Sequence, residues 1–254
     1  MNIIIITGAS SGIGQEFARQ LDTLFPGMDE FWLIARRKER MEALSRELSA
    51  KCRIIGMDLT DLVDLGRFSE LLEIEKPRIR ILVNSAGFGL MGETQRLSLP
   101  EQKAMIDLNC TALTEMTCRC LPYMQKNSRI IQMASSAAFL PQENFAVYAA
   151  TKSYVLSFSQ ALRQELKHRG IYVTSVCPGP VDTEFFERAE QYGKTLAVKK
   201  LTIVPADRVV KKAIRDSYDK KALSVYSLPI QAFHVLCKLL PHDVIFGIMR
   251  RLKS

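Results

Sequence analysis

The chain predicts an α/β protein, a doubly wound parallel sheet of the Rossmann-like kind with a short helical C-terminal extension. Two observations carry this. Apolar runs of strand length alternate with longer helical patterns through the first 180 residues or so, and a glycine-rich turn directly follows the first run. Continuous apolar strands separated by helices imply a sheet covered on both faces. In such sheets the ligand site lies at the carboxyl ends of the strands.

Residues 3–7 read as the first strand and 13–24 as the helix after it. The second strand is 31–35, followed by a strongly helical stretch over 38–50 rich in Glu, Arg, Leu and Met. Residues 53–57 and 80–84 are strands, with a helix over 62–75 between them. One long helix is expected over 102–126, bearing Asn109, before a fifth strand at 129–134. The helix that holds Tyr148 runs to about 169 and stops at Gly170, where a C-terminal glycine belongs. The sixth strand is 172–177.

The turn after the first strand reads Thr7-Gly8-Ala9-Ser10-Ser11-Gly12-Ile13-Gly14. Glycines at 8, 12 and 14 permit a tight turn and a close backbone approach to a pyrophosphate at the next helix's N-terminus. The same residues match GxSxG, the nucleophile elbow of serine hydrolases. That reading needs a partnered histidine, and His168, His234 and His242 have no catalytic context. A phosphate-binding P-loop is excluded because Gln15, not lysine, follows Gly14. The second strand ends in Ala35-Arg36-Arg37-Lys38, with no acid to take a ribose 2′-hydroxyl. Arginine there suits a 2′-phosphate, so NADP(H) is expected over NAD(H), against the blander reading that these arginines only begin an exposed helix.

Tyr148 and Lys152 stand four residues apart, with Ser135 thirteen upstream. On a helix, residues i and i+4 share a face. The lysine charge is therefore expected to favour the phenolate and make Tyr148 a general acid/base. Taken alone, the pair reads equally as an ordinary helical couple.

At 254 residues and 47% hydrophobic content the chain suits one domain with a substantial core. Residues 1–193 hold 22 Lys/Arg against 23 Asp/Glu, and 194–254 hold 13 against 4, so the net charge of +8 comes from the last quarter. A solvated outer face is the preferred explanation, ahead of an anionic partner. Six cysteines show no CxxC pair or metal-ligand spacing and read as buried thiols in a reducing cytoplasm, with no metal site. The start of the chain lacks the pattern of a secretory leader, so a cytoplasmic location is expected. No nucleic-acid partner is indicated.

Together these residues resemble the short-chain dehydrogenase/reductase family, in its single-domain branch of about 250 residues, over roughly 1–183. The turn from Gly8 to Gly14, including Ser10, Ser11, Gly12 and Ile13, is similar to that family's cofactor turn. Asp58, beside Leu59, falls where the family places an acid near the adenine, and Asn84-Ser85-Ala86-Gly87 resembles its NNAG motif with Ser85 in place of the second asparagine. Ser135, Tyr148 and Lys152 fall on the catalytic positions and Asn109 on the fourth member of the set. Ser136 is a less well-spaced competitor for Ser135. Pro178, Gly179, Val181 and Thr183 match the PGxxxT segment set against the nicotinamide. The resemblance implies a cofactor-binding and catalytic core over 1–183, a substrate lid and basic helical tail over 184–254, and an NADP(H)-dependent oxidoreductase interconverting a carbonyl and an alcohol. In it Tyr148 exchanges the proton, and Ser135 orients the reacting oxygen. Lys152 tunes the phenol and binds the nicotinamide ribose, and Asn109 holds Lys152 through a water. A non-catalytic nucleotide-binding regulator is the alternative, opposed by the retention of both Tyr148 and Lys152.

Past Thr183 lie Phe185, Phe186, Tyr192 and the pair Lys199-Lys200. With Phe139 and Phe145 the aromatics indicate an apolar substrate pocket or, equally, core. In the last stretch Ile230, Phe233, Leu236, Cys237 and Leu240 suit one helix face, and Val244, Ile245, Ile248, Met249 and Leu252 a second after Pro241. Framing the substrate entrance is the first reading for these helices. An interface in a homo-oligomer (dimer or tetramer) comes second, and peripheral contact with an anionic membrane third.

Overall fold

Ile3, Ile4, Ile5 and Ile6 are all fully buried, and their alternation organises the molecule. In this computed structural model, which describes residues 1–193 and 203–253 with side chains as far as 247, they lie on β1 (Asn2–Thr7). Ile4 and Ile6 pack with Phe17 and Leu21 of α1 (Gly12–Leu24). Ile3 and Ile5 pack on the other face with Phe68 and Leu72 of the helix Leu62–Glu75. Alternate residues of a strand face opposite ways, so an unbroken apolar run demands helices on both sides. Burying each such side chain contributes roughly 1.5–3 kcal/mol.

The other main strands are β2 (Glu30–Ala35), β3 (Cys52–Gly56), β4 (Arg78–Asn84), β5 (Met124–Met133) and β6 (Tyr172–Val176). With Leu223–Ser224 they form a seven-stranded, wholly parallel sheet in the order β3-β2-β1-β4-β5-β6 and then that short strand. The doubly wound sheet expected from the sequence is therefore present. A two-residue parallel ladder joins Val181–Asp182 to Val204–Pro205 beside it. No helix among the described residues is long and apolar enough to cross a membrane.

Several boundaries differ from expectation, each for a local reason. The second helix stops at Ser45 rather than at 50. The Asp22 carboxylate, on α1, accepts from the backbone N–H groups of Ser49 and Ala50, both at 2.8 Å, and holds them out of the helix. The long helix expected over 102–126 begins at Leu99, behind a Ser98 cap, and is interrupted. A π-helical turn occupies Asp107–Ala112, the α-helix resumes over Leu113–Cys120, and Pro122 ends it. β5 consequently starts at Met124, five residues before the expected 129. There the Ser128 hydroxyl accepts from Gln125 N–H and donates to the Ile79 carbonyl. The helix of Tyr148 ends at Glu165, and a single 3-10 turn carries the chain to Gly170 at φ 66°.

Sequence reasoning missed the helix Ala206–Tyr218, although Val209, Val210, Ala213 and Ile214 give it a buried stripe. It also missed the seventh strand, too short to register as an apolar run. Lys199 and Lys200 lie outside the described residues, as do the side chains of Ile248, Met249 and Leu252. Of the six cysteines, all free, Cys110, Cys120 and Cys177 are buried while Cys118 is exposed and Cys52 and Cys237 are intermediate, so burial is not general.

Replacing Asp22 by Ala leaves two backbone donors without their carboxylate. Hydrogen bonds to a charged group are worth about 1.5–3 kcal/mol. Urea unfolding of Asp22→Ala is expected to show a loss of about 2 kcal/mol with an unchanged slope.

Candidate active site

The glycine turn sits where β1 leaves the sheet centre, and its geometry explains its composition. Gly8 has φ +69°, and a Cβ there would come within 2.8 Å of the Ala86 backbone nitrogen. A Cβ on Gly14 would stand 2.2 Å from the Gly8 carbonyl oxygen. Gly14 therefore closes the turn on itself rather than facing the cleft. Thr7 ties the turn to the end of β4: its hydroxyl accepts from the N–H groups of Ser85 and Ala86, at 3.1 and 3.2 Å. Its role in holding these two segments together was not expected from the sequence.

A cleft of about 1220 Å³ opens above these carboxyl ends. Of the cofactor candidates, Gly8, Ser10, Ser11, Gly12, Ile13, Arg36, Arg37, Asp58, Leu59, Ala86 and Gly87 line it, as do Pro178, Gly179, Val181 and Thr183. Ser135, Tyr148 and Lys152 line it too. Asn84 does not. It is buried, and its amide donates to Thr117 Oγ1 at 3.0 Å and Gln132 Oε1 at 2.9 Å, which makes it part of the scaffold beneath the cleft. At the end of the cleft beside β2 and β3, Arg36 lies 3.8 Å from Asp58. Burial pushes the Asp58 carboxyl up, but hydrogen bonds from Thr60 and the Arg36 charge hold it below its usual range.

At the other end, Tyr148 is buried and stacks on Phe145 with ring centroids 4.2 Å apart. Its hydroxyl is hydrogen-bonded to Ser135, whose Oγ also accepts from Ala137 N–H at 3.1 Å. Lys152 Nζ donates to the Met133 carbonyl at 2.7 Å and lies 5.6 Å from the Tyr148 ring centroid. The expected depression of the phenol does not appear. Burial pushes Tyr148 up to about 12, opposed by the Ser135 hydrogen bond, and pulls Lys152 down to about 8. Shared removal from water outweighs the lysine's charge here, because each group is favoured in its neutral form.

Asn109 is fully buried on the π-helical turn and does not line the cleft. Its amide binds both backbone groups of Phe88, accepting from N–H at 3.0 Å and donating to C=O at 2.8 Å. It also donates to Thr151 Oγ1 at 3.0 Å. It thus fixes the strand-end loop against the Tyr148 helix.

The walls at the Tyr148 end come from Met91, Leu140, Phe145, Phe185 and Phe186, and from Ile230, Phe233 and Phe246 of the C-terminal helices. Phe139 instead packs in the core beside His234, and Tyr192 is exposed and donates to Glu101. Glu184 and Arg188, not anticipated from the sequence, also border the cleft. Among the described residues no cluster is suited to holding a metal.

A family model described as short chain dehydrogenase matches residues 2–193. Serine 3-dehydrogenase from Agrobacterium fabrum is 36% identical over 187 residues, covering 72% of this chain and 73% of that protein. Sulfoacetaldehyde reductase 2 from Chromohalobacter salexigens is 33% identical over 193 residues, 72% of this chain and 74% of its own. Among solved structures, a short-chain dehydrogenase from Sphingobium yanoikuyae in complex with NADPH superposes with a TM-score of 0.79 at 30% identity, covering 100% of this chain and 96% of that one.

Lys152 gives a pH-dependent test of the burial. The folded pKa is about 8 and the unfolded one about 10.4, so the folded chain holds fewer protons between them and stability rises with pH across that window. Below pH 8 the whole penalty is present. Lys152→Met, at the cost of a Met133 carbonyl without its donor, is expected to be more stable than the parent by about 2 kcal/mol at pH 7. That advantage should vanish in denaturant melts by about pH 10.4.

Proposed function

The chain belongs to the short-chain dehydrogenase/reductase family, and from that premise we propose that it is an NADP(H)-dependent oxidoreductase interconverting a carbonyl and an alcohol. The observation that carries this is the convergence of Ser135, Tyr148 and Lys152 on one cleft with the glycine turn and Arg36 and Arg37. The cleft exceeds the usual span of single-ligand pockets, roughly 300–1,000 Å³, which suits a dinucleotide together with a substrate. The same convergence favours an enzyme over a non-catalytic regulator.

Gly8, Ser10, Ser11, Gly12, Ile13, Asp58, Leu59, Ala86 and Gly87 would hold the adenosine and pyrophosphate, Arg36 and Arg37 a 2′-phosphate, and Pro178, Gly179, Val181, Thr183 and Lys152 the nicotinamide ribonucleoside. A nicotinamide cofactor, when bound, supplies or takes the hydride. The protein supplies the proton and the positioning. Tyr148, protonated at neutral pH, donates to the carbonyl oxygen while Ser135 holds that oxygen by a second hydrogen bond. Lys152 is the nearby charge able to steady the tyrosinate that results. Asn109 acts on none of these atoms directly and keeps the Phe88 loop and the Tyr148 helix in register. A neutral phenol at rest favours carbonyl reduction near neutrality, with alcohol oxidation gaining as pH rises. The aromatic and aliphatic walls select an apolar substituent on the carbonyl carbon.

In the tail, the face of Leu228–Leu239 carrying Ile230 and Phe233 borders the cleft, which supports a role in framing the substrate entrance, whereas Leu236 is exposed. The opposite stripe of Leu228, Val235 and Leu239 is exposed and suits a second copy in a homodimer. Sedimentation as a monomer at all concentrations would remove that reading. Pelleting with anionic vesicles at low salt would assign the stripe to a membrane surface.

The catalytic reading is tested by Tyr148→Phe. NADPH oxidation with a carbonyl panel should fall by about 10²–10⁴-fold while NADPH binding, followed by its fluorescence, persists. Turnover near the parent rate would overturn the assignment of Tyr148, and a preference of the parent protein for NADH would overturn that of Arg36 and Arg37.

A further inference from the structure

Of the two arginines offered to a 2′-phosphate, Arg37 already has an acidic partner, which it shares with Arg40. Arg37 Nη1 lies 3.1 Å from Glu184 Oε2, and Arg40 Nη1 pairs with Glu184 Oε1, so one carboxylate bridges two guanidinium groups. Arg37 Nε donates in addition to Ser10 Oγ at 3.3 Å, which fixes that guanidinium against the glycine turn. The carboxyl of Glu184 is held below its usual range by the hydrogen bonds from Arg40 and Arg37. A carboxylate on an arginine fork satisfies the same donors that a phosphate monoester would use.

Where Glu184 sits in the chain gives this contact its consequence. It follows Thr183, whose methyl carbon would lie 3.1 Å from a Cβ on Gly12, so this stretch of chain starts against the cofactor turn. Glu184 also directly precedes the helix Phe185–Ala189. Phe185 of that helix reaches the catalytic end, with its ring centroid 5.5 Å from that of Tyr148. Arg188, on the same helix, lies over the Phe88 ring at 3.6 Å. One carboxylate therefore ties the adenosine end of the cleft to the segment that walls its substrate end.

We propose that Glu184 is a built-in occupant of the 2′-phosphate site: NADP(H) must displace it from Arg37 and Arg40, and the displacement frees the Phe185–Ala189 helix to rearrange around the substrate. This rests on the reading of Arg37 as a ligand of that phosphate. A doubly charged phosphate outbids a single carboxylate for the two arginines, whereas NAD(H) offers nothing to exchange and leaves the bridge in place. Glu184 thereby subtracts from NADP(H) affinity and couples recognition of the 2′-phosphate to the state of the lid.

Two exposed ion pairs are modest interactions, so the effect is a moderate one. Titration of NADPH fluorescence with Glu184→Gln should show roughly three- to ten-fold tighter binding than the parent, with NADH affinity unchanged. Trypsin cleavage after Arg188 supplies a readout of the lid. In the parent protein adenosine 2′,5′-bisphosphate should accelerate it and 5′-AMP should not, and in Glu184→Gln cleavage should be fast with either. Arg37→Ala separates this idea from its premise. If Arg37→Ala weakens NADPH binding but Glu184→Gln leaves it unchanged or weaker, Glu184 is no competitor and the proposal falls alone. If Arg37→Ala leaves NADPH affinity untouched, the 2′-phosphate reading falls, and the proposal with it.

Discussion

Everything at the carboxyl edge of the sheet depends on a single topological constraint, the placement of β1 between β2 and β4. The chain winds one way from β1 to β2 and β3 and the other way from β4 onward, so the flanking helices diverge and leave a crevice uncovered. No side chain creates that opening. What side chains do is keep it narrow: Thr7 pins the β4 end to the turn, and Gly8 and Gly14 let backbones approach within distances that a Cβ forbids. The glycine turn after β1 and the Tyr148 helix after β5 border one cleft because only β4 stands between their strands.

Beneath the crevice the scaffold uses polar groups where the strands alone would suggest apolar ones. Asn84 Nδ2, Gln132 and Thr117 form a triangle of hydrogen bonds between β4, β5 and the helix Leu113–Cys120, with the buried Asn84 Oδ1 left outside it. The Thr117 hydroxyl in turn donates a hydrogen bond to the Leu113 carbonyl. Such a network costs desolvation and returns a unique register. It lies directly under the strand ends that carry Ser135 and the Asn84-Gly87 loop, where misregister by one residue would exchange the faces of every side chain.

Much of this was legible in the chain. The six main strands, the glycine turn and the Ser135, Tyr148 and Lys152 spacing could be read because local periodicity and backbone freedom determine them. The misread features depend on distant partners. The helix after Lys38 ends early because Asp22, on another helix, takes its N–H groups. Asn84 reads as a ligand in a motif but is buried beneath the cleft with its amide on Thr117 and Gln132, partners that nothing local reveals. The ionisation of Tyr148 and Lys152 was misjudged for the same reason. Helical spacing shows that the two are near one another but not how thoroughly both are withdrawn from water. Glu184 could not have been anticipated, because its partners lie 144 and 147 positions away.

The π-helical turn at Asp107–Ala112 amounts to a change of phase in one helix. An α-helix advances about 100° per residue, so one extra residue in a turn rotates everything beyond it by that angle. Ahead of the turn, Met105 faces the cleft-side cluster, and beyond it Met116 and Cys120 face the sheet. A single helix thus serves two surfaces that a regular one could not reach together, with Asn109 at the seam. Shortening the segment by one residue would keep its composition and length almost intact. It would also swing either the core-facing stripe or the asparagine out of place, so length here is under the same constraint as residue identity.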